Sequence, residues 1–257
     1  MLQPGQVGRW AQRFGVADAQ VRLDHLLSHV IWAIAELDAG DVVFFGGTAL
    51  CRTYLTDPPW LRLSEDLDLL LAGDPLEQRV RLEDGLLEQL RREFPTRAWE
   101  VAPSVARAPT PALLRADGFV VRVQLLPATG GWAAWTRVPA SACAVDLRYE
   151  DLPEAVDLAV PTPEGFAAMK LSAWEDRRAP RDLFDLAGLT TIDAFTSRTL
   201  DVFTALSGRP PEPGAYRHVP DTTAEVWTRQ LAHQTRDLPS PTTCLSMVSR
   251  AVHTIRQ

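Results

Sequence analysis

VVFFGGTALCRTYLTDPPWLRLSEDLDLLL, residues 42–71, contains two short apolar runs, and each of them meets a polar signature. Val42–Phe45 is β-prone and stops at Gly46, so it predicts a buried strand that delivers a glycine turn. Thr48 to Leu55 predicts the first turns of a helix. Asp57-Pro58-Pro59 breaks it, and Arg62 to Leu71 predicts a return strand. The 18 residues between Gly47 and Asp66 are enough for that helix and return. Gly46-Gly47-Thr48 and Asp66-Leu67-Asp68 are therefore expected on adjacent strands.

Each half of the pattern has its own chemistry. Glycines lack a Cβ and let a phosphate approach the main chain, while a helix that starts there aims its N–H groups and dipole at the anion. Thr48 can add a hydroxyl. Asp66 and Asp68 stand two apart on a strand, so their carboxylates face the same side, and carboxylate oxygens are the donors that Mg²⁺ prefers. A phosphate cradle beside a pair of metal-binding carboxylates suits nucleotidyl transfer, an in-line displacement at the α-phosphorus of an NTP with pyrophosphate leaving. Gly-Gly alone is common in turns, and one DxD alone is a common strand entry; the ordered pair is more specific.

Working outward, residues 21–37 carry apolar side chains at the spacing of one helical face, with Asp38-Ala39-Gly40 as the expected stop. His25 and His29 lie one turn apart on that helix and could in principle hold a metal, but a pair on the helix surface is the expectation. Glu77 to Phe94 reads as an amphipathic helix, Phe119 to Leu126 as a strand, and residues 141–160 as further short strands. From Pro163 onward helices predominate: 164–174, 182–190, 192–207, 221–235 and 241–255. The run Gly208 to Gly214, rich in proline, reads as a linker.

The 257 residues carry a net charge of −7 with 46% hydrophobic and 23% charged residues, which describes a folded chain and argues against a generally basic surface for nucleic acid. Cys51, Cys143 and Cys244 lack metal or disulfide spacing. The N-terminus has no leader pattern and no segment reaches membrane-span length, so the expected location is the cytoplasm, with no membrane partner. Among 26 Lys and Arg residues Lys170 is the single lysine. Its compact ammonium can follow a phosphate in a way that a planar guanidinium cannot.

FFGGTALCRTYL, RLSEDLDLL and the later MKLSAWEDRRAPRDLFDL together resemble the AbiEii/AbiGii-type, MenT-like nucleotidyltransferase toxins of bacterial type IV toxin–antitoxin systems. The resemblance implies an α+β fold: a polymerase-β-like catalytic lobe with a mixed sheet and flanking helices over residues 1–160, and a helical lobe over 161–257. It implies transfer of NMP from an NTP, with Mg²⁺, to the 3′ end of tRNA, which blocks aminoacylation and translation, and a cognate antitoxin as partner. Gly46, Gly47, Thr48 and Ser64 become nucleotide-binding residues, and Asp66 and Asp68 metal ligands. Lys170 becomes a phosphate contact, and Asp182 or Asp185 the late catalytic aspartate. Arg177, Arg178 and Arg181 become a basic patch for the tRNA end. Ser64 is also a candidate phosphorylation switch.

Two departures from the family pattern stand out. Phe45 occupies a place that is commonly basic, and the strand FVVRVQLL offers Arg122 and Gln124 where a third carboxylate is usual. The alternatives are transfer to a protein hydroxyl or a small molecule, and a nucleotide-binding module without catalysis.

Overall fold

The computed structural model describes residues 2–37, 41–106 and 110–257. The chain divides into two compact units, the first of Met1–Thr53, Leu63–Thr136 and Ser141–Val160, the second of Tyr54–Arg62, Arg137–Ala140 and Pro161–Gln257.

The first unit opens with helices α1 (Pro4–Phe14) and α2 (Asp18–Glu36), followed by β1 (Val42–Phe45), α3 (Gly46–Thr53), β2 (Asp66–Leu71) and α4 (Pro75–Gln89). Strands β3 (Ala98–Val101), β4 (Ala112–Ala116), β5 (Phe119–Pro127), β6 (Ala140–Asp146) and β7 (Ala155–Pro161) complete a seven-stranded sheet of order β3-β4-β5-β2-β1-β7-β6. The sheet is mixed. β1 runs antiparallel to β2 and parallel to β7, and β2 runs parallel to β5. In β2 the alternate residues Leu67 and Leu69 are fully buried and leave Asp66 and Asp68 on the more open face. Burying each leucine contributes roughly 1.5–3 kcal/mol, which fixes the register because a one-residue slip would drive carboxylates into the core.

Several sequence expectations shift. The return strand begins at Asp66 rather than Arg62. The helix expected from Glu77 starts two residues earlier, because Asp74 accepts hydrogen bonds from the Leu76 and Glu77 amides and Pro75 takes the first helical position. The expected helix stop at Asp38-Ala39-Gly40 lies outside the described residues. The helix α1 goes beyond the sequence reading, although Pro4 at its start and Gly15 in the left-handed region at its end are the usual punctuation. The strand β4 does too, although Asp117-Gly118, both at positive φ, form the two-residue turn that joins it to β5.

His25 and His29 are the largest correction in this unit. They are 3% and 5% exposed, buried rather than on a solvated face. The reason is that α2 packs against α1, α4 and β5 and so has almost no outer side.

The second unit is helical: α5 (Pro163–Arg177), α6 (Pro180–Leu189), α7 (Ser197–Ser207), α8 (Asp221–Leu231) and α9 (Pro241–Ile255). Its core gathers Trp174, Phe184, Phe203 and Trp227, with the Trp60 ring tilted against Phe184 at 5.4 Å between centroids. The proline-rich run after α7, residues 208–214, is exposed except at Pro211. Ala215 and Tyr216, just past it, are buried, the Tyr216 hydroxyl donates to Glu175 over 2.8 Å, and Arg256 donates to the Pro211 carbonyl. Proline removed the helix there; apolar burial pinned the chain.

Candidate nucleotidyltransferase site

In the first unit α3 begins directly where β1 ends, with no intervening loop. Gly46 has φ +82°, and a Cβ on it would fall inside contact distance of the Asp68 Oδ2. Glycine is thus required twice, for the backbone conformation and for the close approach of a carboxylate. The backbones of Gly46, Gly47 and Thr48 form the first turn of α3, where N–H groups have no acceptor within the helix. Thr48 itself is 2% exposed and its hydroxyl donates to the Asp66 carbonyl. That side chain braces the strand that bears the aspartates, so the part of Thr48 suited to an anion is its backbone.

Phe45 pairs with Asp68 across β1 and β2, and its ring lies 5.2 Å from Trp135. Phe45 is thus part of the core. Ser64 is also buried, at 9% exposure. A modifying enzyme would have to open the chain locally to reach that hydroxyl.

The neighbouring strand on the other side of β2 is β5, with Arg122 opposite Asp66 and Gln124 opposite Asp68. This is the strand the sequence singled out as lacking a carboxylate, and register now adds what fills the place. The Arg122 Nε donates to the Asp66 Oδ1 at 2.7 Å, with the arginine side chain 55% and the aspartate 25% exposed. That hydrogen bond and the Asp66 charge raise the arginine pKa above its ordinary value. Two partly exposed carboxylates on one strand face remain a suitable donor set for a hydrated, oxygen-seeking cation. Among the described residues no third histidine, cysteine or carboxylate converges on them.

In the second unit, α5 carries Lys170 and α6 carries Asp182 and Asp185. Lys170 is buried, with its Nζ 3.1 Å from the Asp182 Oδ1 and 2.6 Å from the Asp185 Oδ2. Asp185 is also gripped by Arg62, whose Nε and Nη2 donate at 2.7 and 2.8 Å, while the Arg62 Nη1 donates to Gln234. Asp182 accepts from the Arg177 Nε at 2.7 Å and Nη2 at 2.9 Å. Burial alone would raise the Asp182 carboxyl; Lys170 and Arg177 outweigh it and hold it down at about 2. Burial likewise opposes Arg62 and Lys170 at Asp185, and the cations again prevail. The lone lysine therefore bridges two buried anions, a task suited to a compact head with three donors.

The three arginines expected as one basic patch take separate roles. Arg177 pairs with Asp182. Arg178, at positive φ, caps α5, lies 5.2 Å over Trp174 and donates to the Ala215 carbonyl. Arg181 is exposed. Nothing local announces Arg62 as the clamp on Asp185, since 123 residues separate them, or Arg122 as the partner of Asp66.

Among the described residues, no helix is long and apolar enough to cross a membrane. No curated protein matches the chain by sequence. Solved structures do match. MenT4, a nucleotidyltransferase toxin from Mycobacterium tuberculosis, superposes with a TM-score of 0.70 at 18% identity, over 100% of this chain and 90% of that one. JHP933 from Helicobacter pylori gives 0.50 at 16% identity, over 88% of each chain. At such identities the likeness is one of fold. The family model described as the nucleotidyl transferase AbiEii toxin of type IV toxin–antitoxin systems matches residues 30–244. With most of its length matched, the chain belongs to the AbiEii nucleotidyltransferase toxin family.

Proposed function

We propose that this protein transfers NMP from an NTP to the 3′ end of tRNA in a Mg²⁺-dependent reaction in the cytoplasm, blocking aminoacylation and translation until a cognate antitoxin restrains it. One observation carries the reading: Gly46, held at positive φ, lies against the Asp68 carboxylate, so a helix N-terminus and the Asp66/Asp68 pair occupy one corner of the sheet. The backbone of Gly46–Thr48 takes phosphate oxygens and sets the triphosphate in line. Asp66 and Asp68 hold Mg²⁺, whose chemistry when bound is to neutralise charge on the phosphates. Lys170 is the proposed phosphate contact. Asp182 and Asp185 position its ammonium, and their pairing with cations argues against a base role for either. The acceptor, tRNA, rests on the family resemblance, with exposed Arg181 the most accessible of its expected phosphate contacts.

Arg122 and Gln124 supply no carboxylate to take the proton of an attacking hydroxyl. The proton then passes to solvent or to a substrate phosphate oxygen, and turnover is slow. The test is incubation of the protein with each α-labelled NTP, Mg²⁺ and total RNA. Label is expected in tRNA for the wild type and at background for Asp66→Ala and Lys170→Ala. Persistent labelling by both variants ends the site assignment. Label that migrates with protein or a small molecule moves the acceptor, and NTP binding without transfer to any acceptor supports a binding module.

A further inference from the structure

Three segments of the first unit that are distant in sequence bring side chains to one point. α2 supplies His25 and His29, one turn apart on one face; the turn after α4 supplies Glu93; and the turn between β6 and β7 supplies Asp151. The His25 Nε2 is 2.9 Å from the Asp151 Oδ2 and 3.1 Å from the His29 Nε2, which is itself 3.4 Å from the same carboxylate oxygen. With Glu93 included, the four donor atoms lie within 4.8 Å of one another.

Hydrogen bonding alone serves this arrangement poorly. Each imidazole Nε2 presents one direction, holding either a proton or a lone pair. The His25 Nε2 faces both a carboxylate and a second imidazole nitrogen, and one proton cannot bond both well. A cation at the centre serves every donor at once. Ligands about 2.0–2.1 Å from a tetrahedral ion sit roughly 3.3 Å apart, in the range of the three separations seen here.

The surroundings also fit. The His25 and His29 rings are walled by Phe94, with centroids 6.0 and 5.2 Å away, and His25 also by the edge of Tyr149 at 5.0 Å. Burial in that wall favours the uncharged form of each imidazole, which is the form that ligates a metal. Asp151, 33% exposed, marks the way in for an ion.

We propose that His25, His29, Glu93 and Asp151 form a structural site for a zinc-class divalent transition metal that ties α2 to the two turns facing it. The mixed nitrogen and oxygen set selects a borderline metal, whereas the all-oxygen pair Asp66/Asp68 selects a hard one. The two sites thus differ in chemistry and are separable by experiment.

Tag-free protein freed of metal with a chelator is titrated with Co²⁺ and with Zn²⁺, with millimolar Mg²⁺ present. Expected are one equivalent of Co²⁺ per chain with visible d–d bands, displacement by Zn²⁺, and a rise in Tm on the order of 5 °C at saturating Zn²⁺. His29→Ala should abolish the bands, and Asp151→Asn, at a partly exposed position that leaves folding intact, should weaken binding by at least about 10-fold. The double variant Asp66→Asn/Asp68→Asn should keep both bands and stoichiometry. Absence of bands and of a Tm rise in the wild type overturns the proposal, as do bands unchanged in Asp151→Asn.

Discussion

Asp24 and Asp66 each meet a guanidinium at closely similar distance, 2.9 Å to the Arg52 Nη2 and 2.7 Å to the Arg122 Nε, yet the two pairs play different parts. Asp24 and Arg52 are each 1% exposed, Arg148 adds a second guanidinium at 3.0 Å, and the Tyr149 hydroxyl donates to the remaining oxygen at 2.9 Å. One carboxylate there faces two guanidinium groups, and all three are sealed from water. The Asp66–Arg122 pair lies open, in high dielectric, where ions and substrate oxygens can compete for either partner. Bond length does not separate scaffold from site in this protein; hydration does.

The largest expected effect breaks the buried half of that contrast. Asp24→Ala leaves two guanidinium groups buried without their anion, and removing one partner of such a cluster costs about 3–5 kcal/mol. Urea denaturation is expected to show that loss for Asp24→Ala and a change within about 1 kcal/mol for Asp66→Ala. Equal losses for the two variants would erase the distinction.

Acid titration sharpens the same contrast. Burial would raise the Asp24 carboxyl, but Arg148 and Arg52 hold it below its ordinary range, and the Lys170 and Arg177 cations bring Asp182 from 3.8 down to about 2. A carboxyl depressed in the folded state contributes stability above its unfolded pKa, and that contribution is lost as pH falls through the folded value. For Asp182 the window runs from about pH 4 down to about pH 2, and the contribution is about 2 kcal/mol. Urea midpoints measured across this window should fall less steeply for Asp182→Asn than for the wild type; parallel profiles would show that the carboxyl is not held down.

These contrasts also mark where the sequence was legible. Gly46, Asp66 and Asp68 could be read because they are local: a strand ending in glycine, and two carboxylates alternating with leucines, constrain the backbone within a few residues. Arg122 and Gln124 were readable as the residues of a strand lacking a carboxylate, and β2 pairing with β5 in parallel put them beside the aspartates. What stayed hidden was long-range. Nothing near Arg62 announces Asp185, and nothing near His25 announces Asp151, 126 residues on. The histidines were misjudged because periodicity tells which face of a helix is apolar, not whether the other face is also covered.

The smallest expected effect on stability lies at Arg122, and it is the most informative about the open pair. An exposed ion pair contributes about 0–1 kcal/mol, so Arg122→Ala should move Tm by no more than roughly 4 °C. Its consequence should appear instead in the Mg²⁺ concentration needed for half-maximal NTP binding, measured by titration at fixed NTP. If the guanidinium competes with the cation for Asp66, its removal lowers that requirement by up to roughly fivefold, the equivalent of about 1 kcal/mol. A raised requirement would mean that Arg122 leaves Asp66 when the triphosphate arrives and binds the phosphates itself. The guanidinium would then be part of the substrate site and no longer only a counter-ion waiting on the metal.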